Sequence, residues 1–567
     1  MWVSIPRSGD GAPSPALVEL RTRIADGLQR LVLVLISGTG MALAYPLVIP
    51  QVSPHQIDAV GHLEWLSWII LVPLLIALER AARIRSAFAS GWLAGVAFMA
   101  VLAYCLPSAT VRATLQGPAV AWGITGVVLT VTGSYWAVAC TIAWVLWKRL
   151  RWPWWTHLPW IWVATDFLRN FLFGGFPIGS LGYVQVRHVL ISQLASLVGL
   201  YGIAALVVGV NCVCRELLGA LVERRKVPWL VIIGCCGVLI GVLVFGMVHL
   251  GTLRRRSAVA STLRATIIQP NVNQAMKQRA RSQSGYIFQR LVPPTLEAIR
   301  HGTDVVIWPE STWPIPLPRE LTTLADSPGG NLALGHAHMI LGAVTMDVTA
   351  GKMALRNSLL LVKPDLSFGG EYSKQHLLGV SEYVPWWLRL LWPQVAKELV
   401  EAVAGESHVF EIATPRGTAA VGPLLCWDAM FPELARTYSR TGVNALLVAT
   451  NESWFGYTSG PYLALSCSRM RAIEVGKAVI RASYAGPSGL VLPTGELAPG
   501  TLDVGPVGGN VPVYPEEPAA VFRADVPLLR EGTIYSQIGD VFAWACVIFT
   551  LSAAVNCTWR VWVRRGS

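Results

Sequence analysis

The chain has 567 residues, 53% of them hydrophobic and only 14% charged, against the ~25% charge of an ordinary soluble protein. A soluble globular surface cannot be assembled from that composition, and a membrane is the expected solvent. The net charge of +12 raises nucleic acid as a partner, but the basic residues fall in short clusters beside apolar stretches rather than along one face, so no nucleic acid is expected.

Spanning hydrocarbon takes roughly 20 mostly apolar residues. Candidate helices lie near 31–50, 64–79, 87–107, 119–147, 153–172, 189–218, 227–251 and 536–558. Basic loops stay on the cytoplasmic side, and the clusters alternate. Arg21, Arg23 and Arg30 precede the first span; Arg80, Arg83 and Arg85 follow the second; Lys148, Arg149 and Arg151 follow the fourth; Arg224, Arg225 and Lys226 follow the sixth; Arg560, Arg564 and Arg565 close the last. The expected organisation is a cytoplasmic segment 1–30, a membrane domain of about seven helices over 31–253, an extracytoplasmic domain over 262–530 and a last transmembrane helix over 536–558. Arg254 to Arg256, on the outer side, go against the pattern. An apolar run from Leu31 leads into Ala42-Leu43-Ala44, which has the form of a signal-peptide cleavage site; a retained anchor is the reading adopted.

From about 262 to 530 the texture changes to short β-rich runs that end in polar residues. Val305–Trp308 runs into Pro309-Glu310, Ala419–Leu425 into Cys426, and Ala445–Ala449 into Thr450-Asn451-Glu452, with helical segments such as Pro432–Ser439 and Arg469–Val475 between strands. A mixed α/β domain follows, and in such sheets chemistry gathers where strands end. Eight of the ten cysteines lie in apolar stretches, leaving Cys426 and Cys467 in the polar part. Cys467 reads as the buried face of a helix. Cys426 stands at a strand-to-helix junction, where amides and the following helix favour a thiolate and can donate to an oxyanion. Glu310 and Lys374 complete a possible base and cation for it. No metal-ligand motif or disulfide framework occurs, and no cofactor is expected.

These residues resemble the nitrilase superfamily, whose catalytic set is Glu, Lys and Cys on a four-layer α-β-β-α sandwich. Trp308-Pro309-Glu310-Ser311 is similar to its glutamate motif, Tyr372-Ser373-Lys374-Gln375-His376-Leu377 to its lysine motif, and Cys426 through Glu433 to its cysteine motif. Asn451-Glu452-Ser453-Trp454-Phe455-Gly456 and Arg469 through Glu474 resemble further family stretches. Within the superfamily, helices before and after the domain resemble the bacterial apolipoprotein N-acyltransferases. So do Gly174-Gly175-Phe176-Pro177, Leu181 through Gln185 and Ser381-Glu382-Tyr383-Val384-Pro385. The implied fold is a polytopic α-helical membrane domain plus an α/β nitrilase-like four-layer α-β-β-α sandwich. The implied reaction moves an acyl chain from a phospholipid, through a thioester on Cys426, to the α-amine of a diacylglyceryl-cysteine lipoprotein. The implied location is the bacterial cytoplasmic membrane, and a monomer is expected.

The resemblance makes Glu310 the base, Lys374 the oxyanion donor together with the Trp427 amide, and Glu382, Trp427, Asp428, Glu433, Asn451 and Trp454 the supporting set. Val384 through Trp392 carries three tryptophans, Trp386, Trp387 and Trp392, of the kind that settle at headgroup level; a lipid-facing lid and a helix of the domain core are both open for it. The chain departs from the family pattern at Trp427-Asp428, Gln278, Ile178 and Gly460-Pro461-Tyr462-Leu463-Ala464, which leaves a paralogue with another amine acceptor open. A membrane-anchored amidase with water as acceptor, and a transporter or scaffold with a non-catalytic nitrilase domain, are the competing classes.

Overall fold

A computed structural model of the chain describes residues 15–47, 63–114, 117–172, 175–272, 284–349, 352–398, 401–456, 458–501 and 519–566. Gln278 lies outside the described residues. The first half is helical: α1 (Pro15–Leu43), α2 (Val72–Glu79), α3 (Ile84–Leu102), α4 (Leu106–Thr114), α5 (Pro118–Leu150), α6 (Trp154–Leu168), α7 (Val189–Ser192), α8 (Ala195–Val198), α9 (Leu200–Val222) and α10 (Trp229–Val259). A last helix, Val541–Gly566, follows the β domain and packs on α6.

Six of these helices are long and apolar enough to cross a membrane, within α1, α3, α5, α9, α10 and the last helix. Among the described residues, six of the eight expected stretches hold a helix of that length. The 64–79 stretch is a 3-10 turn, Glu64–Trp68, followed by the eight-residue α2, and the 153–172 stretch holds only the 15-residue α6. The break before α2 is held by Asn211 of α9, which accepts from the Leu71 amide at 2.8 Å and donates to the Ser67 carbonyl at 2.7 Å. Those bonds satisfy backbone groups that hydrocarbon would leave orphaned. The 189–218 stretch is divided at Gly199, whose φ of +70° separates α8 from α9. α1 begins at Pro15, so half of the 1–30 segment is helical. Arg254 and Arg256, which broke the charge pattern, pair with Glu496 and Glu531 at 2.6 and 2.5 Å.

The β domain consists of two sheets. One has the order β12-β1-β2-β4-β5-β6, from Ala520–Pro527, Thr262–Gln269, Val305–Trp308, His338–Thr349, Lys352–Val362 and Phe368–Ser373, with the two-residue β3 (Leu317–Pro318) on β4. The other has the order β11-β10-β9-β8-β7, from Gly489–Val491, Ala478–Ser483, Ala445–Thr450, Gly417–Leu425 and Phe410–Thr414. Side chains alternate between faces of a strand, and the core follows that rule. Val305, Ile307, Ile340, Leu359 and Leu361 face the second sheet, whereas Val306, Trp308, Leu341, Leu360 and Val362 face the helix Ser284–Arg300 and its neighbours. Helices Pro432–Arg440 and Gly460–Val475 cover the outer face of the second sheet, giving four layers, α-β-β-α.

Candidate active site

The site lies where strand ends of both sheets meet the membrane helices. β2 is the fully buried run Val-Val-Ile-Trp. Pro309, lacking an N–H, ends it so that Glu310 follows at the rim. β6 ends at Ser373 and hands Lys374 to the same rim, where its amide donates to the Asn357 carbonyl at 2.9 Å. β8 ends at Leu425, and Cys426 turns the chain with φ +47° into the 3-10 turn Cys426–Met430. A left-handed conformation costs a non-glycine residue about 1 kcal/mol or more and persists only where surroundings fix it.

Here the fixing residue is Asp428. Fully buried, it accepts from Tyr372 Oη at 2.6 Å, the His376 amide at 2.7 Å and the Leu425 amide at 3.3 Å. It thereby ties the segment carrying Lys374 to the turn carrying Cys426. His376 sits 3.5 Å from Asp428 and 3.4 Å from Glu433, stacked on Phe431 with ring centroids 3.8 Å apart. Burial pulls this imidazole down, but the two carboxylates outweigh burial and lift it to about 9.

Around the thiol the charges are arranged closely. Lys374 is buried; its ammonium lies 2.7 Å from one oxygen of Glu382 and 3.9 Å from Glu310. Burial works against its charge, while Glu382, Cys426 and Glu310 hold it well above the ordinary lysine value. Asn357 donates to both carboxylates, at 2.7 Å to Glu310 and 3.1 Å to Glu382. The Asn451 amide donates to the other oxygen of Glu310 at 2.5 Å. Burial pushes the Cys426 thiol up to about 12, Glu310 adding to the rise and Lys374 opposing it. At rest the sulfur is a thiol.

All of this opens into one cavity of about 570 Å³, within the range that holds a small-molecule ligand. Of the residues expected from sequence, Glu310, Lys374, Cys426, Glu382, Trp427, Asn451, Trp454, Trp386 and Trp387 line it. Asp428, Glu433 and Trp392 stand behind the lining. Ile124, Val127, Val128 and Val131 of α5 form its apolar wall. The tryptophan segment is the short helix Trp386–Leu391. It is not part of the sandwich core: Leu388 and Val384 pack on Ile124 of α5, Trp392 covers Gly123, and Trp386, Leu390 and Leu391 are exposed.

Sequence reasoning missed Asn357, Arg481 and Arg112. Asn357 sits at the polar start of the apolar run Ser358–Val362, where a side chain amide has few reasons to be. Arg481 is the lone charge in the wholly buried β10 and pairs with buried Glu452; burial raises Glu452 to about 7 despite that arginine. A charge inside an apolar strand signals a hidden partner. Arg112 of α4 donates to the Trp454 carbonyl at 2.8 Å, and no local pattern marks that contact.

A nitrilase-type sandwich whose reactive rim opens onto apolar helices defines a multi-pass membrane enzyme of the acyltransferase class. The model for the apolipoprotein N-acyltransferase N-terminal domain matches residues 37–213, and that for carbon-nitrogen hydrolase matches 264–502. An apolipoprotein N-acyltransferase of Geobacter metallireducens is 29% identical over 90% of this chain and 92% of its own length. That of Allorhizobium ampelinum is 30% identical over 72% of this chain and 76% of its own. The chain belongs to the apolipoprotein N-acyltransferase family. Among solved structures, yeast Nit3 of the nitrilase superfamily is 18% identical with a TM-score of 0.30, covering 47% of this chain and 90% of that one. A mutant amidase of Nesterenkonia sp. AN1 is 17% identical with a TM-score of 0.32, covering 50% and 97%.

Proposed function

We propose that this chain moves an acyl chain from a phospholipid to the N-terminal amine of a diacylglyceryl-cysteine lipoprotein by a ping-pong route through Cys426. One observation carries the reading: the cavity that holds Cys426, Glu310 and Lys374 is walled on its other side by membrane helices. Each buried methylene is worth about 0.8 kcal/mol, so a long acyl chain is not drawn into water; an apolar wall continuous with the bilayer removes that obstacle. A water-soluble amide substrate would gain nothing from it.

In the first half-reaction Glu310 takes the thiol proton and the sulfur attacks the ester carbonyl. Charge gathers on the carbonyl oxygen, where Lys374 and the Trp427 amide donate; loss of one such donor typically costs on the order of 100-fold in rate. The ester C–O bond breaks, the lysophospholipid alkoxide takes the proton from Glu310, and a thioester remains. In the second half the lipoprotein amine, deprotonated by Glu310, attacks the thioester and leaves as an amide, and the expelled thiolate takes the proton back from Glu310. Glu382 and Asn357 hold Lys374 and Glu310 at their separation, the Asn451 amide orients Glu310, and Asp428 with Glu433 braces the nucleophile turn through His376. Trp427 and Trp454 shape the cavity, and Trp386, Trp387 and Trp392 form its lipid-facing cover. The basic clusters support an inner-membrane placement with the sandwich on the outer side.

Intact mass of the purified protein tests this. With phosphatidylethanolamine alone, wild type should gain one acyl increment and Cys426→Ala none, and a diacylglyceryl peptide should discharge the increment into an N-acylated product. An adduct that ignores the peptide points to another amine or to water as acceptor; no adduct with any phospholipid refutes the acyl-transfer reading.

A further inference from the structure

The α3 helix touches two cavities. Its C-terminal end leads into Ala103 and Cys105, which line the reaction cavity. Its first turns line a second cavity of about 260 Å³ shared with α1. α3 has 19 residues, enough to carry it across most of the hydrocarbon. The second cavity therefore lies at the opposite face of the membrane from the chemistry.

Its lining is amphipathic in an ordered way. Arg30, Arg85 and Ser86 form the polar part, and Leu31, Val34 and Leu93 the apolar part. No carboxylate lines it, and among the described residues neither Arg30 nor Arg85 has an ion-pair partner. The neighbouring bases differ: Arg23 pairs with Glu19, and Arg80 donates to Gln29. The first turn of α3 carries no acidic residue, so the positive end of its dipole adds to the same field. Gly27 opens the space, since a Cβ built there meets nothing within 4 Å.

We propose that this groove between α1 and α3 binds one anionic phospholipid of the leaflet opposite the reaction cavity. Its phosphodiester lies between Arg30 and Arg85, and one acyl chain runs along Leu31, Val34 and Leu93. Charge complementarity selects the headgroup, as in other basic pockets between membrane helices, and the apolar half selects a lipid over a free anion. The lipid is a resident, not a substrate. No cysteine, histidine or carboxylate lines the groove to activate its serines, and the reaction cavity lies at the other end of α3.

The test is native mass spectrometry of the full-length protein titrated with phosphatidylglycerol, phosphatidylethanolamine or inorganic phosphate. Wild type is compared with R30A/R85A and with Gly27→Leu, which keeps both charges and fills the open space. A lipid in the reaction cavity is common to all three proteins and cancels in the comparison. Phosphatidylglycerol should bind wild type at least tenfold tighter than phosphatidylethanolamine. R30A/R85A should lose about 25-fold, fivefold for each arginine, and Gly27→Leu about tenfold or more, while the acyl-enzyme yield at Cys426 stays unchanged. Equal phosphatidylglycerol binding by wild type and Gly27→Leu overturns the proposal, and that comparison stands alone if R30A/R85A does not fold. Displacement of the lipid by millimolar inorganic phosphate overturns it too, assigning the groove to a free anion.

Discussion

Asp428→Asn should remove part of a pH-dependent term in stability while leaving the fold intact. His376 is raised by its two carboxylates from an ordinary 6.5 to about 9. A group whose folded value is raised stabilises fully below its unfolded value, and that contribution is lost as pH climbs through the folded value. The window is therefore pH 6.5 to 9. The shift corresponds to at most about 3 kcal/mol, and because the His376 side chain retains 31% exposure, screening reduces this to roughly 2. Asp428 and Glu433 share it, so Asp428→Asn should halve the loss of stability between pH 6.5 and 9, and Asp428→Asn with Glu433→Gln should abolish it. The Asn side chain also presents an NH2 to one of the amides of Leu425 and His376, adding about 1–3 kcal/mol of pH-independent cost for a buried donor left unpaired. Thermal unfolding of the detergent-solubilised protein, followed by intrinsic tryptophan fluorescence at half-unit pH steps, measures both. A wild-type Tm flat from pH 6.5 to 9, or equal slopes in wild type and the double variant, would refute the assignment.

Other substitutions separate chemistry from architecture. Cys426→Ala and Cys426→Gly should both lose the acyl adduct in intact mass. Glycine should be the more stable by about 1 kcal/mol in thermal unfolding, because only it adopts φ +47° without strain. Lys374→Met leaves buried Glu310 and part-buried Glu382 without their cation, and a loss of about 3–5 kcal/mol in stability should accompany a fall of at least 100-fold in the rate of adduct formation. Gly123→Leu should displace Trp392, to which a Cβ at Gly123 would come within 2.6 Å. Acyl transfer should then fall several-fold while iodoacetamide still alkylates Cys426 at the wild-type rate. Glu474 lies 2.8 Å from fully buried Arg471. Glu474→Gln should therefore cost about 3–5 kcal/mol, and R471M/E474M should recover most of it, both read by thermal unfolding.

The two kinds of structure were not equally legible in the chain. The sandwich strands were readable because their apolar runs are short and several end on a polar residue; Glu310, Cys426 and Asn451 could be singled out as strand terminators before any geometry was known. Lys374 needed the family motif, since a lysine after Tyr-Ser carries no local signal. In the membrane half, hydropathy sees apolar content and not continuity. The 64–79 stretch is apolar enough to cross, but a break in it is sustained by Asn211, which arrives from a helix far along the chain. Likewise Arg254 and Arg256 read as a topology signal in conflict with the rest until Glu496 and Glu531 appeared opposite them. Asn357 was invisible for the same reason: its meaning comes from two carboxylates that arrive from other parts of the chain.

The junction between helices and sandwich explains why so many charges are buried in a chain with so few. A cavity walled by two domains keeps its shape only if the domains cannot slide, and apolar contact alone is non-directional. Buried polar contacts supply direction. Glu474 accepts from the Leu200 amide of α9 at 3.0 Å, and Arg471 reaches the Met430 carbonyl at 3.2 Å and Tyr183 Oη at 3.3 Å. Gln193 donates to the Thr494 carbonyl at 3.0 Å, and Arg436 pairs with Asp540 beside the last helix at 2.5 Å. Met430 ends the turn that Cys426 begins, so the clamp on the membrane helices and the turn that carries the Cys426 thiol share one five-residue element. A displacement of the helices by a single turn would break these bonds and move Cys426 relative to the apolar wall of α5. The register of the interface and the reach of the sulfur into the bilayer-facing cavity are thus set by the same contacts.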